Sequence, residues 1–176
     1  LGLVVSEMCI RDRGDWYHTG AWPHEGVDFS GKRVGLIGTG STGIQATPVI
    51  AAESEHLTVF QRTPNFSIPA RNAPLEEKTL NDIKANYQEI RDLCKGSDNG
   101  FPFIPVDRGA KDVGEEDRER IYDKFWELGG FRLLVESFND LTIDEFANET
   151  AANYIRQKIR EMVKDPKVAE MLCPYD

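Results

Sequence analysis

Three glycines in the run Gly38–Gly43 are spaced as in a turn that holds phosphate groups against the protein backbone. In the pattern Gly-x-Gly-x-x-Gly, the first glycine, Gly38, permits a tight turn, and the second, Gly40, lets the backbone approach a pyrophosphate. The third, Gly43, lets a helix pack closely on the turn. The positive end of that helix would attract the phosphates. The backbone N–H groups expected to donate to them belong to Thr39, Gly40, Ser41 and Thr42.

The segments on either side of the glycine run complete a β-α-β unit. Lys32–Ile37 is a short apolar strand, Ile44–Ala52 reads as a helix, and Leu57–Phe60 is a second strand. Pro48 lies inside the helix, where proline costs about 3 kcal/mol, so the sequence predicts a kink or a displaced helix start. A glycine pattern in this setting predicts a dinucleotide-binding site.

The residues after the second strand bear on which dinucleotide is bound. An NAD site usually has an acidic residue there for the ribose 2′-hydroxyl, but this chain has Gln61 and Arg62. The Arg62 guanidinium suits a 2′-phosphate, and the Thr63 hydroxyl would add a second contact, so NADP(H) is favoured over NAD. Gln45 is a weaker candidate that would reach the cofactor from the helix. The alternative is that Arg62 is a solvated residue at a strand end.

Composition excludes several classes of partner. The chain has 176 residues and a formal net charge of −9, which argues against nucleic acid and against an anionic membrane surface. No apolar run approaches the roughly 20 residues of a membrane span. The cysteines are odd in number and lack metal-ligand spacing, so we expect reduced thiols, no metal site and a cytoplasmic location. They are Cys9, Cys94 and Cys173.

From Pro74 onward the pattern becomes helical. The first predicted helix has an apolar face formed by Leu80, Ile83, Tyr87, Ile90 and Cys94. A loop is predicted over Gly96–Gly114. The next predicted helix is Glu115–Leu128, with Ile121, Phe125 and Leu128 on its apolar face. Three more follow, namely Phe131–Phe138, a helix capped by Thr142 and a short last helix. The glycine pair Gly129-Gly130 and the pair Asp165-Pro166 are expected to end helices.

These elements predict an α/β fold: a partial Rossmann-type (β-α-β) NADP-binding domain followed by a helical insertion. Because such a domain normally needs further strands, we expect the chain to be an internal piece of a longer protein. The predicted organisation is a non-native leader over residues 1–13, an inter-domain linker over 14–30, the β-α-β unit over 31–72 and a helical subdomain over 73–176.

The leader is predicted to be translated sequencing adapter. The transposon-end DNA GAGATGTGTATAAGAGACAG reads Glu-Met-Cys-Ile-Arg-Asp in one frame, and the chain has these residues at positions 7–12. Its last two bases then begin an arginine codon, which fits Arg13. The alternative is a genuine amphipathic strand around Leu3–Val5.

A motif before the glycine run resembles the signature of type I Baeyer–Villiger monooxygenases, Phe-x-Gly-x-x-x-His-x-x-x-Trp-Pro. The matching residues are Gly14, His18, Trp22 and Pro23. The phenylalanine position is Asp12, inside the suspected leader. The segments Val59–Pro64 and Pro69–Pro74 are also similar to the family. Gly129–Arg132 and Ala147–Glu149 are similar to its cyclohexanone-monooxygenase branch, and the resemblance covers residues 14–176.

The resemblance implies a flavoprotein that binds FAD and NADPH and uses O2 to convert a ketone to an ester or lactone. This chain would supply NADPH binding, while the FAD turn and the family's active-site arginine would lie outside it, so no catalytic residue is assigned here. His18 would couple cofactor binding to domain movement; the alternative is a buried structural histidine. Trp22 and Pro23 would anchor the linker by packing.

Two other functions remain open at this point. A flavin-containing monooxygenase that oxygenates nitrogen or sulfur shares the start of the signature but usually lacks Trp-Pro, so Trp22 and Pro23 count against it. A non-catalytic NADP-binding fragment belongs to a different class. The identity of the ketone would depend on parts of the protein outside this chain.

Overall fold

The fold is described from a computed structural model, which covers residues 14–97, 100–103 and 106–175. Residue contacts divide the chain into two compact units, Leu1–Arg62 and Thr63–Asp176. The predicted leader over residues 1–13, with its alternative strand, lies outside the described residues. Within the described residues the fold is mixed α/β, with a small parallel sheet in the first unit and helices in both.

The first unit contains the predicted β-α-β arrangement. Strand β1 is Arg33–Ile37, helix α1 is Ser41–Glu53, and strand β2 is His56–Phe60. The strands pair in parallel, with Arg33 opposite His56 and Ile37 opposite Phe60. A parallel pair needs a crossover connection, which α1 provides. The carboxyl ends of β1 and β2 therefore lie side by side, at the edge where the glycine run begins.

Helix α1 accommodates Pro48 without moving its start. The helix begins at Ser41, directly after Gly40, and continues through Pro48 to Glu53, so a displaced start is wrong. Proline has no N–H to donate to the carbonyl of Ile44, one turn earlier. The Thr47 hydroxyl donates to the Gly43 carbonyl at 2.7 Å, a side-chain bond that adds to the regular backbone pattern of the helix.

Among the described residues of the second unit, the regular structure is entirely helical. Its helices in chain order are α2 Glu77–Ala85, α3 Tyr87–Gly96, α4 Glu115–Leu128, α5 Arg132–Glu136, α6 Glu145–Met162 and α7 Pro166–Leu172. A 3₁₀ turn, Ala110–Asp112, interrupts the predicted loop before α4. The glycine pair after α4 adopts positive φ angles of 74° and 65°, which ends that helix as predicted.

The predicted helix with the face from Leu80 to Cys94 is two helices rather than one. The break lies at Asn86, with φ −109° and ψ 19°, between α2 and α3. The Asn86 side-chain amide donates to the Asp82 carbonyl at 2.9 Å, and the Asn86 backbone N–H donates to the same carbonyl at 3.1 Å, so Asn86 closes the last turn of α2 twice. Neither helix buries a side chain fully, and Tyr87 is 60% exposed.

The hydrophobic core of the second unit lies between α4, α5 and α6. Aromatic rings fill much of it, with the Tyr122 ring centroid 5.3 Å from that of Phe138 and 5.2 Å from that of Tyr154. The buried face of α4 is formed by Tyr122, Phe125 and Trp126, which share the helical spacing of one stripe. Leu128, predicted on that face, is 49% exposed because it ends the helix outside this stripe.

Helix α6 begins two residues later than predicted. Its N-cap is Asp144, whose carboxylate accepts from the Ala147 N–H at 3.0 Å, and the prediction of Thr142 as the cap is wrong. Aspartate and threonine both cap helices well, so the sequence alone allowed either residue. Lys111 supports the Asp144 cap, since its ammonium lies 2.6 Å from the Asp144 carboxylate.

Candidate functional site: the glycine turn and the linker before it

Gly38 joins the ends of the two strands. Its N–H donates to the Phe60 carbonyl at 2.9 Å, so the carboxyl ends of β1 and β2 lie at the same edge of the sheet. Gly38 has φ +99°, a conformation that residues with a Cβ rarely adopt. The chain therefore turns sharply after β1, as predicted for the first glycine.

Gly40 is the N-cap of α1 and is exposed to solvent, so the start of the helix is accessible. A Cβ placed on Gly40 would have no protein atom within 4 Å among the described residues. The first N–H groups of a helix have no acceptor within the helix, and α1 has no acidic side chain in its first turn. A side chain at Gly40 would occupy the open space at this turn. The free N–H groups and the positive end of α1 would bind a pyrophosphate in that space.

Gly43 holds the helix against the turn. A Cβ placed on Gly43 would lie 2.3 Å from the Gly38 carbonyl oxygen and 3.1 Å from its carbon. Real Cβ atoms do not approach backbone this closely, so only glycine permits the observed packing. The three glycines thus have three different structural reasons, namely a positive φ at Gly38, open space at the helix start for Gly40 and close packing at Gly43.

Three polar residues were predicted to complete the cofactor site. Gln45 folds back on α1, and its amide nitrogen donates to the Ser41 hydroxyl at 3.0 Å and the Ser41 carbonyl at 3.1 Å. Arg62 is exposed two residues after β2, and within the described residues no carboxylate lies at ion-pair distance from it. Thr63 is exposed and is the first residue of the second unit.

His18 caps a 3₁₀ turn in the linker. The turn is Thr19–Ala21, and the His18 Nδ1 atom accepts from the Gly20 N–H at 3.1 Å. This bond leaves Nδ1 without a proton and places any ring proton on Nε2. His18 is exposed, which differs from the buried structural histidine considered as the alternative.

The rest of the signature motif forms an aromatic cluster. Trp22 lies between two rings, with centroid distances of 5.9 Å to Tyr17 and 6.2 Å to Phe29. The ring planes are tilted by 48° and 45°, and Phe29 is buried, so these contacts pack residues of the linker region on one another. Pro23 is half-buried, and its carbonyl accepts from the Gly26 N–H at 3.1 Å.

Two polar contacts in this region were not predicted from the sequence. Lys32, just before β1, has its ammonium 4.0 Å from the Asp15 carboxylate, an exposed pair without a recognisable sequence pattern. Asp28 accepts from the Ser30 N–H at 2.9 Å, and this bond lowers the pKa of the Asp28 carboxyl. The Asp-x-Ser spacing of the second contact is a recognised turn signal that could have been found.

Among the described residues, no group of three or more His, Cys, Asp or Glu side chains is placed to hold a metal ion. In the same part of the chain, no helix combines the length and hydropathy that crossing a bilayer requires.

Known proteins resemble this chain in sequence and in structure. No protein-family model matches the chain. A protein named Baeyer-Villiger monooxygenase, from Pseudooceanicola batsensis, is 45% identical over 165 residues, which cover 93% of this chain and 30% of that protein. The chain is homologous to Baeyer–Villiger monooxygenases. It spans about 30% of the length of the curated relatives it matches.

Other curated relatives differ in their named reactions. Cyclohexanone 1,2-monooxygenase from an Acinetobacter species is 42% identical over 165 residues, covering 93% of this chain and 30% of its own length. Phenazine N-monooxygenase PhzNO1 from Lysobacter antibioticus is 40% identical over 177 residues, covering 99% and 32%. The chain is therefore similar both to enzymes named for oxygenation of ketones and to one named for oxygenation at nitrogen.

Solved structures agree with the sequence relatives. An oxidized steroid monooxygenase bound to NADP has a TM-score of 0.81 and 50% identity, over 89% of this chain and 30% of that one. A complex of the protein OTEMO with FAD and NADP has a TM-score of 0.86 and 37% identity, over 91% and 31%. The first of these structures is bound to NADP and the second to FAD and NADP, which supports the predicted pair of cofactors.

Proposed function

We propose that this chain is the NADPH-binding part of an FAD- and NADPH-dependent monooxygenase that inserts oxygen next to a ketone carbonyl. The observation that carries the proposal is the glycine turn, in which Gly40 faces outward at the start of α1 while Gly43 packs on the Gly38 carbonyl. In this proposal the β-α-β unit belongs to a Rossmann-type domain, and the helices of the second unit are an insertion in that domain.

The residues of this chain have separate roles in the proposal. Backbone N–H groups at the start of α1 bind the pyrophosphate, and Arg62 and Thr63 bind the 2′-phosphate. NADPH, when bound, supplies the hydride that reduces the flavin. The bonds from Gln45 to Ser41 order the first turn of α1, which is a supporting role for Gln45 beside the direct contact predicted from sequence. His18 couples cofactor binding to domain movement, and the 3₁₀ turn that it caps is the part of the linker on which it acts.

A second candidate function is oxygenation at nitrogen. The observation that favours it is the 40% identity to phenazine N-monooxygenase PhzNO1. The ketone reaction is preferred because relatives at 45% and 42% identity are named as Baeyer-Villiger and cyclohexanone monooxygenases. The substrates of either reaction are small molecules together with O2, with neither nucleic acid nor membrane as partner.

The test of the proposal uses the full-length protein that contains this chain. With NADPH, O2 and a cyclic ketone, the protein should consume NADPH and form a lactone, measured by absorbance and by mass spectrometry of the product. Oxidation of amines without any ketone conversion would replace the proposed reaction with the second candidate. The purified 176-residue chain should show no ketone oxidation, because the FAD site is proposed to lie outside it.

The cofactor assignment is tested by Arg62→Ala. Loss of a charge-assisted contact to phosphate should weaken NADPH binding about ten- to a hundredfold and leave NADH binding nearly unchanged. Arg91→Ala is the matched control, because Arg91 is an exposed arginine on α3 with no role in the proposal. Equal weakening of both cofactors by Arg62→Ala would show that Arg62 does not recognise the 2′-phosphate.

A further inference from the structure

The Ser41 hydroxyl lies at the start of α1, directly after Gly40. Ser41 is the first residue of the helix, and it is exposed. In the body of a helix, a serine hydroxyl commonly donates to the carbonyl one turn earlier. At Ser41 that turn does not exist, because the helix begins there. The hydroxyl proton of Ser41 is therefore not used by the helix itself.

Gln45 restricts the direction of this proton. The Gln45 amide nitrogen lies 3.0 Å from the Ser41 hydroxyl oxygen and 3.1 Å from the Ser41 carbonyl oxygen. An amide nitrogen only donates hydrogen bonds, so the Ser41 hydroxyl oxygen accepts from it. Of the three staggered positions of the hydroxyl proton, the one toward Gln45 is thereby excluded. The remaining positions point away from Gln45, which stands one turn further along the helix.

We propose that the Ser41 hydroxyl donates to a pyrophosphate oxygen of the cofactor and that Gln45 is the positioning residue that directs its proton. This inference rests on the proposed function, in which the start of α1 binds the pyrophosphate. A pyrophosphate oxygen is anionic and only accepts, so a hydroxyl serves it solely as a donor. The inference adds a side-chain donor to the backbone N–H groups, and Gln45 acts through Ser41.

The advantage of this arrangement is preorganisation. A freely rotating hydroxyl loses rotational freedom when it donates to a ligand, whereas the Ser41 hydroxyl has already lost part of that freedom to Gln45. Accepting a hydrogen bond also polarises a hydroxyl and makes it a stronger donor. Because NADPH and NADH share the pyrophosphate, both should gain equally from Ser41. Arg62 differs in this respect, since it is proposed to contact only the 2′-phosphate.

The test measures dissociation constants for NADPH and NADH in the full-length protein. Ser41→Ala removes the donor and should weaken the binding of both cofactors about tenfold. Gln45→Met keeps a side chain of similar length without the amide and should weaken both about threefold. Gln88→Met is the matched control, because Gln88 on α3 also donates one turn along its helix, to Asp92 at 2.9 Å. It should leave both affinities unchanged.

The double variant separates direction of the hydroxyl proton from every other role of Gln45. The bond from Gln45 to the Ser41 carbonyl is retained in Ser41→Ala, since that carbonyl belongs to the main chain. If Gln45 acts through the hydroxyl, Gln45→Met should have no further effect on either affinity in the Ser41→Ala background. A threefold loss in that background would show that Gln45 orders the helix or touches the cofactor, and would overturn the inference.

Hydrogen exchange of the α1 amides in the cofactor-free protein provides a second readout. Exchange should be the same in wild type and Ser41→Ala, because the hydroxyl makes no bond that holds the helix. A loss of affinity that followed faster exchange across the variants would assign the effect to helix stability and overturn the inference.

Failure of this inference can be distinguished from failure of the proposed function. If Gly40→Val and Arg62→Ala weaken NADPH binding but Ser41→Ala does not, only the roles of the Ser41 hydroxyl and Gln45 are wrong. If none of these three variants changes NADPH affinity, the proposed function and the inference are both overturned.

Discussion

Gly40 and Gly43 lie in the same turn, yet a side chain at each position would meet different surroundings. At Gly40 it would meet no described protein atom, whereas at Gly43 it would collide with the Gly38 carbonyl. Gly40→Val should therefore cost only the weaker helix capping by valine, about 1 kcal/mol, but weaken NADPH binding about a hundredfold or more, through loss of the pyrophosphate contacts. Titration calorimetry on the full-length protein measures this loss.

Gly43→Ala is the paired variant and should have the opposite profile. The added methyl must displace the turn or the helix, at about 1–3 kcal/mol in the free energy of unfolding. Denaturant titration checks this value. Full stability in Gly43→Ala, or normal NADPH affinity in Gly40→Val, would contradict the assignment of a packing role to one glycine and a phosphate role to the other.

At the scale of elements, the start of α6 depends on one carboxylate. Asp144 accepts from the Lys111 ammonium and from the Ala147 N–H, and these bonds, the first more than the second, lower the pKa of the Asp144 carboxyl below its ordinary value of 3.8. Asp144→Ala should increase hydrogen exchange of the first-turn amides of α6 about fivefold. Thr142→Ala is the matched control and should leave this exchange unchanged, because Asp144 rather than Thr142 is the cap.

The effect of Asp144 should depend on pH in a definite direction. Because the pKa of Asp144 is lower in the folded state, its stabilising contribution is complete above the unfolded pKa and is lost as pH falls through the folded pKa. The difference in stability between wild type and Asp144→Ala should therefore be constant near neutral pH and shrink below about pH 4. A difference that grew on acidification would refute the cap.

At the scale of the whole molecule, the first unit exposes apolar side chains at its sheet. Ile37 at the end of β1 is 89% exposed, and Phe60 at the end of β2 is 56% exposed. Parallel sheets are normally covered on both faces, and uncovered strand edges pair with other chains. The isolated 176-residue chain should therefore be poorly soluble or aggregated, as measured by light scattering and size-exclusion chromatography.

A monodisperse monomer with a sharp two-state thermal transition would contradict this expectation. The full-length protein provides the comparison. If additional strands cover the sheet there, it should remain monodisperse at concentrations at which the isolated chain aggregates.

The sequence by itself determined the local elements. Glycine spacing predicted the turn, short apolar runs predicted β1 and β2, and α4 was predicted with its observed bounds, Glu115–Leu128. These features depend on interactions between neighbours in the chain, such as strand hydrophobicity, the conformational freedom of glycine and the break at Gly129. The resemblance to Baeyer–Villiger monooxygenases also followed from local motifs, and homologues at 45% and 42% identity confirm it.

Tertiary structure decided the features that depend on residues distant in sequence. The Asp144 cap of α6 is paired with Lys111, which lies 33 residues earlier in the chain, and packing of α4 on α6 buries Tyr122 and Trp126 and leaves Leu128 half-exposed. The contact of Arg156 with Phe66 likewise joins residues far apart in the chain. No sequence pattern specifies such contacts, because each arises only when the folded backbone brings together side chains whose separation carries no periodic signal.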